Sequence, residues 1–154
     1  MLLFDTHLHL SQEIVPGPFF AEARSQGVGL FLVAGTSHED GAFVCSLADS
    51  DAGIYAAVGV HPHDAEKFRS EGLPSFRTWL TLPGVVAVGE IGLDYHWDSE
   101  HHTQQQKIFR EQIELAHELH LPISVHTRDA LADTYEILKD AHIDEYGGVM
   151  HSFN

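Results

Sequence analysis

The sequence predicts an α/β fold in which parallel strands alternate with helices, and three observations support this prediction. Six short runs rich in apolar and β-branched residues recur along the 154 residues. Helical patterns separate most of these runs, and such alternation predicts right-handed parallel crossovers. Each run is continuously apolar rather than alternating, as is typical of strands buried on both faces of a sheet. The runs cover residues 2–5, 29–34, 54–60, 85–88, 122–125 and 148–150.

Two of the helical segments carry clear boundary signals. The segment 18–26 is followed by Gly27, a residue that commonly ends a helix. Ser37 and Asp40 stand three residues apart, as in a capping box, and predict a helix that continues to residue 48. Residues 68–82 show a weaker helical pattern.

The two later helices are predicted from apolar stripes. The strongest pattern covers 99–120, and Pro122 prevents its continuation. Asp129 is a candidate cap for the last helix, which extends to residue 141. The residues expected to face inward are Ile108, Phe109, Ile113, Ala116 and Leu119 in the first of these helices and Leu131, Tyr135 and Leu138 in the second.

Composition indicates one globular domain without a membrane span. Apolar residues make up 44% of the chain and charged residues 20%, and no apolar run reaches the roughly 18 residues that cross a bilayer. The N-terminus lacks the basic region of a signal peptide. The single cysteine, Cys45, cannot form an internal disulfide, so we expect a cytoplasmic protein.

The formal charge of −15 restricts how the protein can bind nucleic acid. A broad groove lined with Lys and Arg is excluded, because such binding depends on many cations that release counterions. An enzyme that holds one phosphate or a strand end through metal ions remains compatible with this charge. The thirteen histidines are unusual for this length and require an explanation.

Histidines and a glutamate follow the apolar runs, at the same end of each run. Five of the six runs deliver such a residue at the C-terminal end, and these ends lie on one face of a parallel sheet, where barrel enzymes have their active sites. The motifs are Asp5-Thr6-His7-Leu8-His9, Gly59-Val60-His61-Pro62-His63, Gly89-Glu90-Ile91-Gly92-Leu93-Asp94-Tyr95, Val125-His126-Thr127-Arg128-Asp129 and Met150-His151-Ser152-Phe153.

Four of these histidines and Glu90 together favour a metal site. His7 and His9 are two residues apart on a strand, so both side chains point to the same side and can chelate one ion. Taken singly, His126 or His151 need not be a metal ligand, because a half-buried imidazole that forms hydrogen bonds explains either residue as well. A buried Glu90 needs a partner, however, and a metal ion is an effective one.

The number and type of these ligands predict two divalent ions. Five ligands are too many for one tetrahedral zinc, whereas two metals bridged by Glu90 and about 4 Å apart suit the hydrolysis of phosphate esters. Mixed imidazole and carboxylate ligands suit Zn, Mn, Fe or Co, and a carboxylate-rich variant can use Mg.

Arg128, His61 and His63 are candidate substrate contacts. Arg128 follows His126 closely and would direct a guanidinium towards the metal face as a phosphate clamp. A salt bridge with Asp129 or a neighbouring residue is the structural alternative. The two histidines either bind metal, contact substrate or stiffen the turn that contains Pro62, and substrate contact is favoured.

Asp94 and Tyr95 leave three interpretations open: orientation of metal ligands, substrate contact, or a turn at a strand end. The other histidines do not converge on the strand ends and are expected to be solvated. They are His38, His101, His102, His117, His120 and His142.

In this order, the five motifs resemble those of the TatD-type DNase family, a group of amidohydrolase-like metal-dependent hydrolases, and the resemblance covers the whole chain. It implies a TIM-type (β/α) barrel, a pair of divalent metals and hydrolysis of DNA phosphodiester bonds by metal-activated water, typically as an exonuclease from a 3′ end. It also implies which residues act. The metal ligands would be His7, His9, Glu90, His126 and His151, the catalytic residues Glu90, Arg128 and His61, and the substrate contacts His61, His63, Asp94 and Arg128.

The resemblance also implies an incomplete barrel. TIM-type barrels have about 250 residues, so residues 1–154 are expected to form one domain with about six of the eight strand–helix units. The last two strands and a late metal-binding aspartate of the family would be missing, and a C-terminal segment or a partner chain would close the barrel. Two alternatives remain open: a related hydrolase that acts on a non-nucleic-acid ester or amide, and a non-catalytic metal-binding remnant.

Overall fold

The computed structural model describes residues 1–66, 68, 73–97 and 100–152. Within these ranges, six parallel strands form one sheet in the order β1-β2-β3-β4-β5-β6. The strands are β1 (Leu3–Leu8), β2 (Val28–Ala34), β3 (Ile54–Val58), β4 (Val85–Asp94), β5 (Ile123–Arg128) and β6 (Gly148–Met150), and the helices are α1 (Pro16–Ser25), α2 (His38–Ser50), α3 (Leu73–Leu80), α4 (His102–Leu119) and α5 (Leu131–Asp140).

The sheet is curled into part of a barrel. The imidazole of His7, on β1, stacks on that of His151, directly after β6, with ring centroids 3.9 Å apart. The two edge strands therefore approach each other at their C-terminal ends. This arrangement confirms the predicted incomplete TIM-type barrel, with six strands and, among the described residues, five α-helices between them. None of the described helices is both long enough and apolar enough to cross a membrane.

Apolar residues are buried on both faces of the sheet, which explains why the strand sequences do not alternate. On one face, residues such as Val33 and Val58 pack with helix residues such as Phe109 in the main core. On the opposite face, Leu32 and Ala57 belong to a second, smaller cluster without helix residues. Helices cover the first face, whereas the second face lines the interior of the curled sheet, which strand side chains fill in barrels.

The edges of the sheet expose apolar side chains. Leu3 and Phe4 on β1 are 45% and 46% exposed, and Val149 on β6 is 47% exposed. Unpaired edge strands with apolar residues are a liability for a protein in solution. The prediction that a further segment or a partner chain closes the barrel stays a prediction.

Two of the predicted helix boundaries are confirmed, and one is wrong. The hydroxyl of Ser37 accepts a hydrogen bond from the backbone of Asp40 in a complete capping box. Gly27 adopts a φ of 93° after α1, as a glycine stop requires. Asp129, in contrast, does not cap α5. Ala130 occupies the N-cap position, and the Asp129 carboxylate instead lies 2.8 Å from Nδ1 of His96.

The inward face of α5 differs in part from the prediction, although Leu138 packs against the core as predicted. Leu131 and Tyr135 are 53% and 58% exposed, whereas Thr134 and Ile137 are buried. The hydroxyl of Thr134 lies 3.0 Å from that of Thr127 on β5. This hydrogen bond allows a polar side chain to occupy the buried position, so the apolar residues alone did not identify the packed face.

Strand β4 continues six residues beyond its predicted end. Its pairing with β5 extends from Val88 to the partners Asp94 and Arg128. Glu90 and Asp94 therefore both lie within a strand rather than in a loop that follows one. The helix predicted over 68–82 ends two residues earlier, at Leu80; its described part is Leu73–Leu80, and positions 69–72 lie outside the described residues. Position 99 of the predicted helix 99–120 lies outside the described residues.

We expect Cys45 to react slowly with iodoacetamide in the folded protein. The side chain is buried in α2, and burial raises the pKa of the thiol from its ordinary value of 9.0 to about 11. Because only the thiolate reacts, alkylation near pH 8 should be at least about 100-fold slower than in the denatured chain. Mass spectrometry of quenched samples measures both rates.

The same raised pKa has a consequence for stability. Folding favours the protonated thiol, so this contribution to the free energy of unfolding is fully present below about pH 9 and is lost as the pH rises through about 11. Equal alkylation rates in the folded and denatured protein would show that Cys45 is not buried.

Candidate metal centre

The carboxylate of Glu90 is the centre of a cluster of histidines from four other chain segments. Its side chain is only 2% exposed, although it carries an ionisable group. Oε2 lies 3.4 Å from Nε2 of His7 and 3.1 Å from Nε2 of His9, and Oε1 lies 3.0 Å from Nδ1 of His126 and 3.8 Å from Nε2 of His61. Nε2 of His151 also contacts Oε1. The structure thus brings together all five residues predicted as metal ligands, with His61 beside them.

The Oε2 side of Glu90 has the spacing of a metal site. Nε2 of His7 and Nε2 of His9 are 3.2 Å apart, and each lies 3.1–3.4 Å from Oε2. Ligands of a tetrahedral zinc with bonds of 2.0–2.1 Å are separated by about 3.3 Å. These three atoms therefore fit around one ion without rearrangement.

The Oε1 side of Glu90 holds a second group of nitrogen atoms. Nδ1 of His126 and Nε2 of His151 are 3.4 Å apart, and both contact Oε1. The donor atoms can also be divided differently, because His7 with His151 and His61 with His126 each form a group with Glu90 in which all ligand atoms lie within 4.8 Å. Glu90 belongs to both groups in either division, as a bridging ligand would.

The protonation of these groups shows how strongly the cluster favours positive charge. Burial alone would raise the pKa of Glu90, but hydrogen bonds from His126, His7 and His9 outweigh it and hold this pKa well below its usual range. The hydrogen bond to Glu90 in turn raises the pKa of His9. Without metal, protons on the imidazoles compensate the buried carboxylate, and a divalent cation can replace them.

A backbone contact orients His9 for metal binding. Nδ1 of His9 lies 2.9 Å from the carbonyl oxygen of Ala34. A carbonyl oxygen only accepts, so Nδ1 carries a proton and donates it. The lone pair of the neutral imidazole is then on Nε2, the atom that faces Glu90. Metal-binding histidines in proteins commonly have such a partner on the second ring nitrogen.

His61 is neutral and presents a proton to the site. Burial lowers the pKa of His61 to about 4. Its Nδ1 accepts a hydrogen bond from the backbone N–H of His63, at 3.2 Å, and thereby caps the single-turn 3-10 helix Pro62–Asp64. The proton of the neutral ring is therefore on Nε2, which faces Glu90. His61 both stiffens the turn and offers a hydrogen-bond donor at the centre.

Asp94 orients His126 and is itself buried. Its Oδ2 lies 2.9 Å from Nε2 of His126 and 3.1 Å from Nε2 of His63. Its Oδ1 accepts hydrogen bonds from the backbone N–H groups of His96 and Trp97. Since Asp94 is 1% exposed and both oxygens have partners, the geometry favours an orienting role among the interpretations of this residue. Its predicted contact with substrate stays a prediction.

We expect Asp94→Asn to lower the affinity of the protein for zinc by about 10- to 100-fold, the usual effect of losing a group that orients a ligand. Four donors converge on the two carboxylate oxygens, and an amide has only one oxygen to accept them. Competition with a chromogenic chelator measures the affinity. Asp133→Asn is the matched control, because Asp133 contacts Tyr95 and Gln106 rather than a histidine of the cluster. Equal affinity of the two variants would contradict the orienting role.

Strand β2 supports the centre through its backbone rather than through a side chain. Besides the carbonyl of Ala34, the carbonyl of Gly35 accepts from the N–H of Glu90 at 3.0 Å. The carbonyl of Thr36 accepts from the N–H of His61 at 2.7 Å. These residues could not be predicted from the sequence, because main-chain acceptors leave no signature in side-chain type.

Two buried glutamines of α4 were also missed, although the sequence contains a signal for them. Gln112 bonds both backbone groups of Val60, before His61, and Gln105 bonds both backbone groups of Asp94. They lie seven residues apart on the same face as the apolar stripe of this helix. Helical spacing places both glutamines at core positions of α4. A buried amide needs hydrogen-bond partners, and here the partners are backbone groups at the ends of strands.

Arg128 lies at the rim of the centre and is exposed. Its guanidinium carbon is 5.3 Å from the ring centroid of Trp97. Across the parts of the chain that the structure describes, no carboxylate lies at ion-pair distance from Arg128, because Asp129 contacts His96 instead. The alternative of a salt bridge between Arg128 and Asp129 is therefore wrong, and no such bridge to a neighbouring residue is found in the described ranges. The hydroxyl of Tyr95 donates to Asp133 on α5.

Two of the six histidines expected to be solvated are packed. His102 stacks on Tyr95 with ring centroids 3.6 Å apart, and His117 lies 5.0 Å from the ring of Tyr146. Nε2 of each is buried. Sequence spacing showed correctly that they do not join the strand ends, but it did not reveal these aromatic neighbours. His38, His120 and His142 are exposed, and His101 is half-buried.

Comparison with known proteins gives matches along the whole described sheet. The family model "TatD related DNase" matches residues 4–154. An uncharacterized metal-dependent hydrolase of Bacillus subtilis, YabD, is 38% identical over 155 residues, which cover 99% of this chain and 61% of YabD. The protein named 3′-5′ ssDNA/RNA exonuclease TatD of Cronobacter turicensis is 40% identical over 134 residues, which cover 86% of this chain and 51% of that protein.

Solved structures agree with the sequence matches. The crystal structure of YJJV, a TatD homolog from Escherichia coli K12, superposes with a TM-score of 0.85 at 35% identity and covers 98% of this chain. A TatD family hydrolase of Entamoeba histolytica shares the fold, with a TM-score of 0.84 at 20% identity. The chain spans 51–61% of the length of these relatives. From the family model, the relatives and the site together, the chain belongs to the TatD-related DNase family of metal-dependent hydrolases.

Proposed function

We propose that this chain carries the metal centre of an enzyme that hydrolyses phosphodiester bonds at an end of single-stranded DNA. The observation that carries the proposal is the buried Glu90 carboxylate, which has histidine nitrogens on both of its oxygens. A relative 40% identical to this chain is named a 3′-5′ ssDNA/RNA exonuclease, which supports an exonuclease over other phosphodiesterases.

The donor set fits two divalent ions, of which zinc, manganese and magnesium are the candidates. His7 and His9 would hold one ion with Oε2 of Glu90, and His126 and His151 would hold the other with Oε1. When bound, such a pair supplies positive charge for the phosphoryl oxygens and lowers the pKa of water. Imidazole-rich ligands favour zinc or manganese over magnesium.

His61 and Arg128 would bind the phosphate of the scissile bond. The Nε2–H of neutral His61 faces the centre and can donate a hydrogen bond to a phosphoryl oxygen without bringing a second charge. Arg128 has no carboxylate partner among the described residues, so its guanidinium is available for bidentate contact with a phosphate. Donors aimed at a phosphoryl group stabilise the charge that develops there during hydrolysis.

The acidic composition favours a strand end over a long duplex as the substrate. With a formal charge of −15, the protein has few cations to follow a nucleic-acid backbone. Binding would depend mainly on the phosphate nearest the centre. We therefore expect activity to depend on a free end, and circular single-stranded DNA should resist cleavage.

The proposal is tested with metal-stripped protein that is reloaded with zinc, manganese or magnesium. We expect a 5′-labelled single strand to shorten stepwise from its 3′ end, and EDTA to abolish the shortening. Turnover of p-nitrophenyl acetate without release from DNA would instead support the related hydrolase acting on an ester. Metal binding by calorimetry without turnover of any substrate would support the non-catalytic alternative.

A further inference from the structure

Trp97 is an exposed indole at the rim of the metal centre. Its residue is 66% exposed, more than any other aromatic residue among those the structure describes. One side of the indole faces the guanidinium of Arg128, at 5.3 Å. The imidazole of His96 meets the ring edge-on, with centroids 4.6 Å apart. Tryptophan is enriched at interfaces, where the indole offers a large apolar face for contact with a partner or ligand.

The backbone of Trp97 is connected to the centre through three consecutive contacts. Its N–H donates to Oδ1 of Asp94, at 3.3 Å. Oδ2 of Asp94 holds Nε2 of His126, and Nδ1 of His126 lies 3.0 Å from Glu90. Arg128 pairs with Asp94 across the β4–β5 ladder. The indole and the guanidinium therefore stand where the strands that carry Glu90 and His126 end.

We propose that Trp97 and Arg128 form a nucleobase-binding subsite. An unpaired base of the substrate strand stacks on the free face of the indole, and the guanidinium contacts the neighbouring phosphate. The inference rests on the proposed function and specifies the substrate as a strand with unpaired bases near its end. In an acidic protein, stacking provides affinity that does not depend on a row of cations.

Two predictions about substrate choice follow if a base stacks on Trp97. All four bases have an aromatic face, so the subsite accepts every base and gives little sequence preference. Bases within a duplex are already stacked on both sides, so a blunt duplex end binds more weakly than a single strand. Aromatic stacking contributes about 5- to 150-fold in affinity for each base.

Tryptophan fluorescence tests the subsite independently of hydrolysis. The chain has two tryptophans, and Trp79 is half-buried beside Phe76. In a Trp79→Phe background, the emission comes from Trp97 alone. Zinc- or manganese-loaded protein is titrated with a short thymidine strand and with an abasic strand of equal length, both with phosphorothioate linkages that suppress cleavage.

We expect the thymidine strand to quench the emission and to bind at least about 5-fold more tightly than the abasic strand. Calorimetry, which does not need the indole as a reporter, should show that Trp97→Ala removes this difference in affinity and that Trp97→Phe restores part of it. Tyr135→Ala is the matched control, because Tyr135 is an exposed aromatic residue of α5 and should leave the difference unchanged. Far-UV circular dichroism verifies that each variant is folded.

The outcomes separate this inference from the proposed function. Equal binding of the two strands, or no quenching by either, would overturn the subsite even if the enzyme hydrolyses DNA. Tighter binding of the thymidine strand that Trp97→Ala abolishes in calorimetry would support the subsite even if no hydrolysis is found. In that second case the proposed function fails and a single-strand binding site remains.

Discussion

Glu90→Gln is expected to lower the affinity of the protein for divalent metal by more than about 100-fold. Loss of a group that only orients a ligand costs up to about 100-fold, and Glu90 is itself a predicted ligand. Glu90 faces five histidines within 4 Å and is the shared member of both ligand groups. Glutamine has nearly the same shape but offers one acceptor oxygen and no charge. One ion would lose its carboxylate ligand, and the histidines would lose the group that holds them together.

Calorimetric titration and the metal content after dialysis would measure this loss. Glu118→Gln is the matched control, because it makes the same chemical change at an exposed residue of α4 that pairs with Arg77. We expect this control to retain the metal content of the unmodified protein. A Glu90→Gln variant that binds metal with unchanged stoichiometry and affinity would show that the cluster is not the metal site.

Gly92→Ala is expected to lower the free energy of unfolding by about 2–4 kcal/mol and to reduce metal binding at the same time. Gly92 has a φ of 145°, a conformation that is almost restricted to glycine. An added Cβ would lie 1.9 Å from the carbonyl oxygen of His126. Relief of this clash requires β4 and β5 to separate at the residues that position Glu90 and His126.

Gly17→Ala provides the comparison for this variant. Gly17 lies in the first turn of α1, and an added Cβ there meets no atom within 4 Å. We expect its free energy of unfolding to change by less than about 1 kcal/mol and its metal binding to stay the same. Urea denaturation and metal titration of both variants measure the two effects. Similar stabilities of the two variants would contradict the close approach of β4 and β5.

The positions of the strands and of the metal-binding residues were predictable because both depend on local patterns. Continuous apolar runs identified all six strands, since burial on both faces leaves no room for alternation. The residue at the end of each run then indicated chemistry, because the ends of parallel strands converge. Glu90 was identifiable for the same reason: a carboxylate within an apolar strand needs compensation.

Details that depend on contacts between distant segments were not predictable in the same way. Strand β4 continues to Asp94 only because β5 provides a partner for each added residue. The packed face of α5 is set by the hydroxyl of Thr127, and a helical stripe of apolar residues contains no information about that partner. Asp129 looked like a cap, but its carboxylate is attracted to His96, 33 residues away.

By itself, the sequence determined the order and approximate positions of the strands and helices and which side chains carry ligand atoms, because apolar periodicity and residue type are local properties. Tertiary structure decided the division of nitrogen atoms between the two oxygens of Glu90, the ring nitrogen that His9 and His61 present, and the exposure of Trp97 beside Arg128. Each of these depends on distances of a few ångströms between segments far apart in the chain. The curl of the sheet sets those distances, since it brings the C-terminal ends of the strands together at one rim.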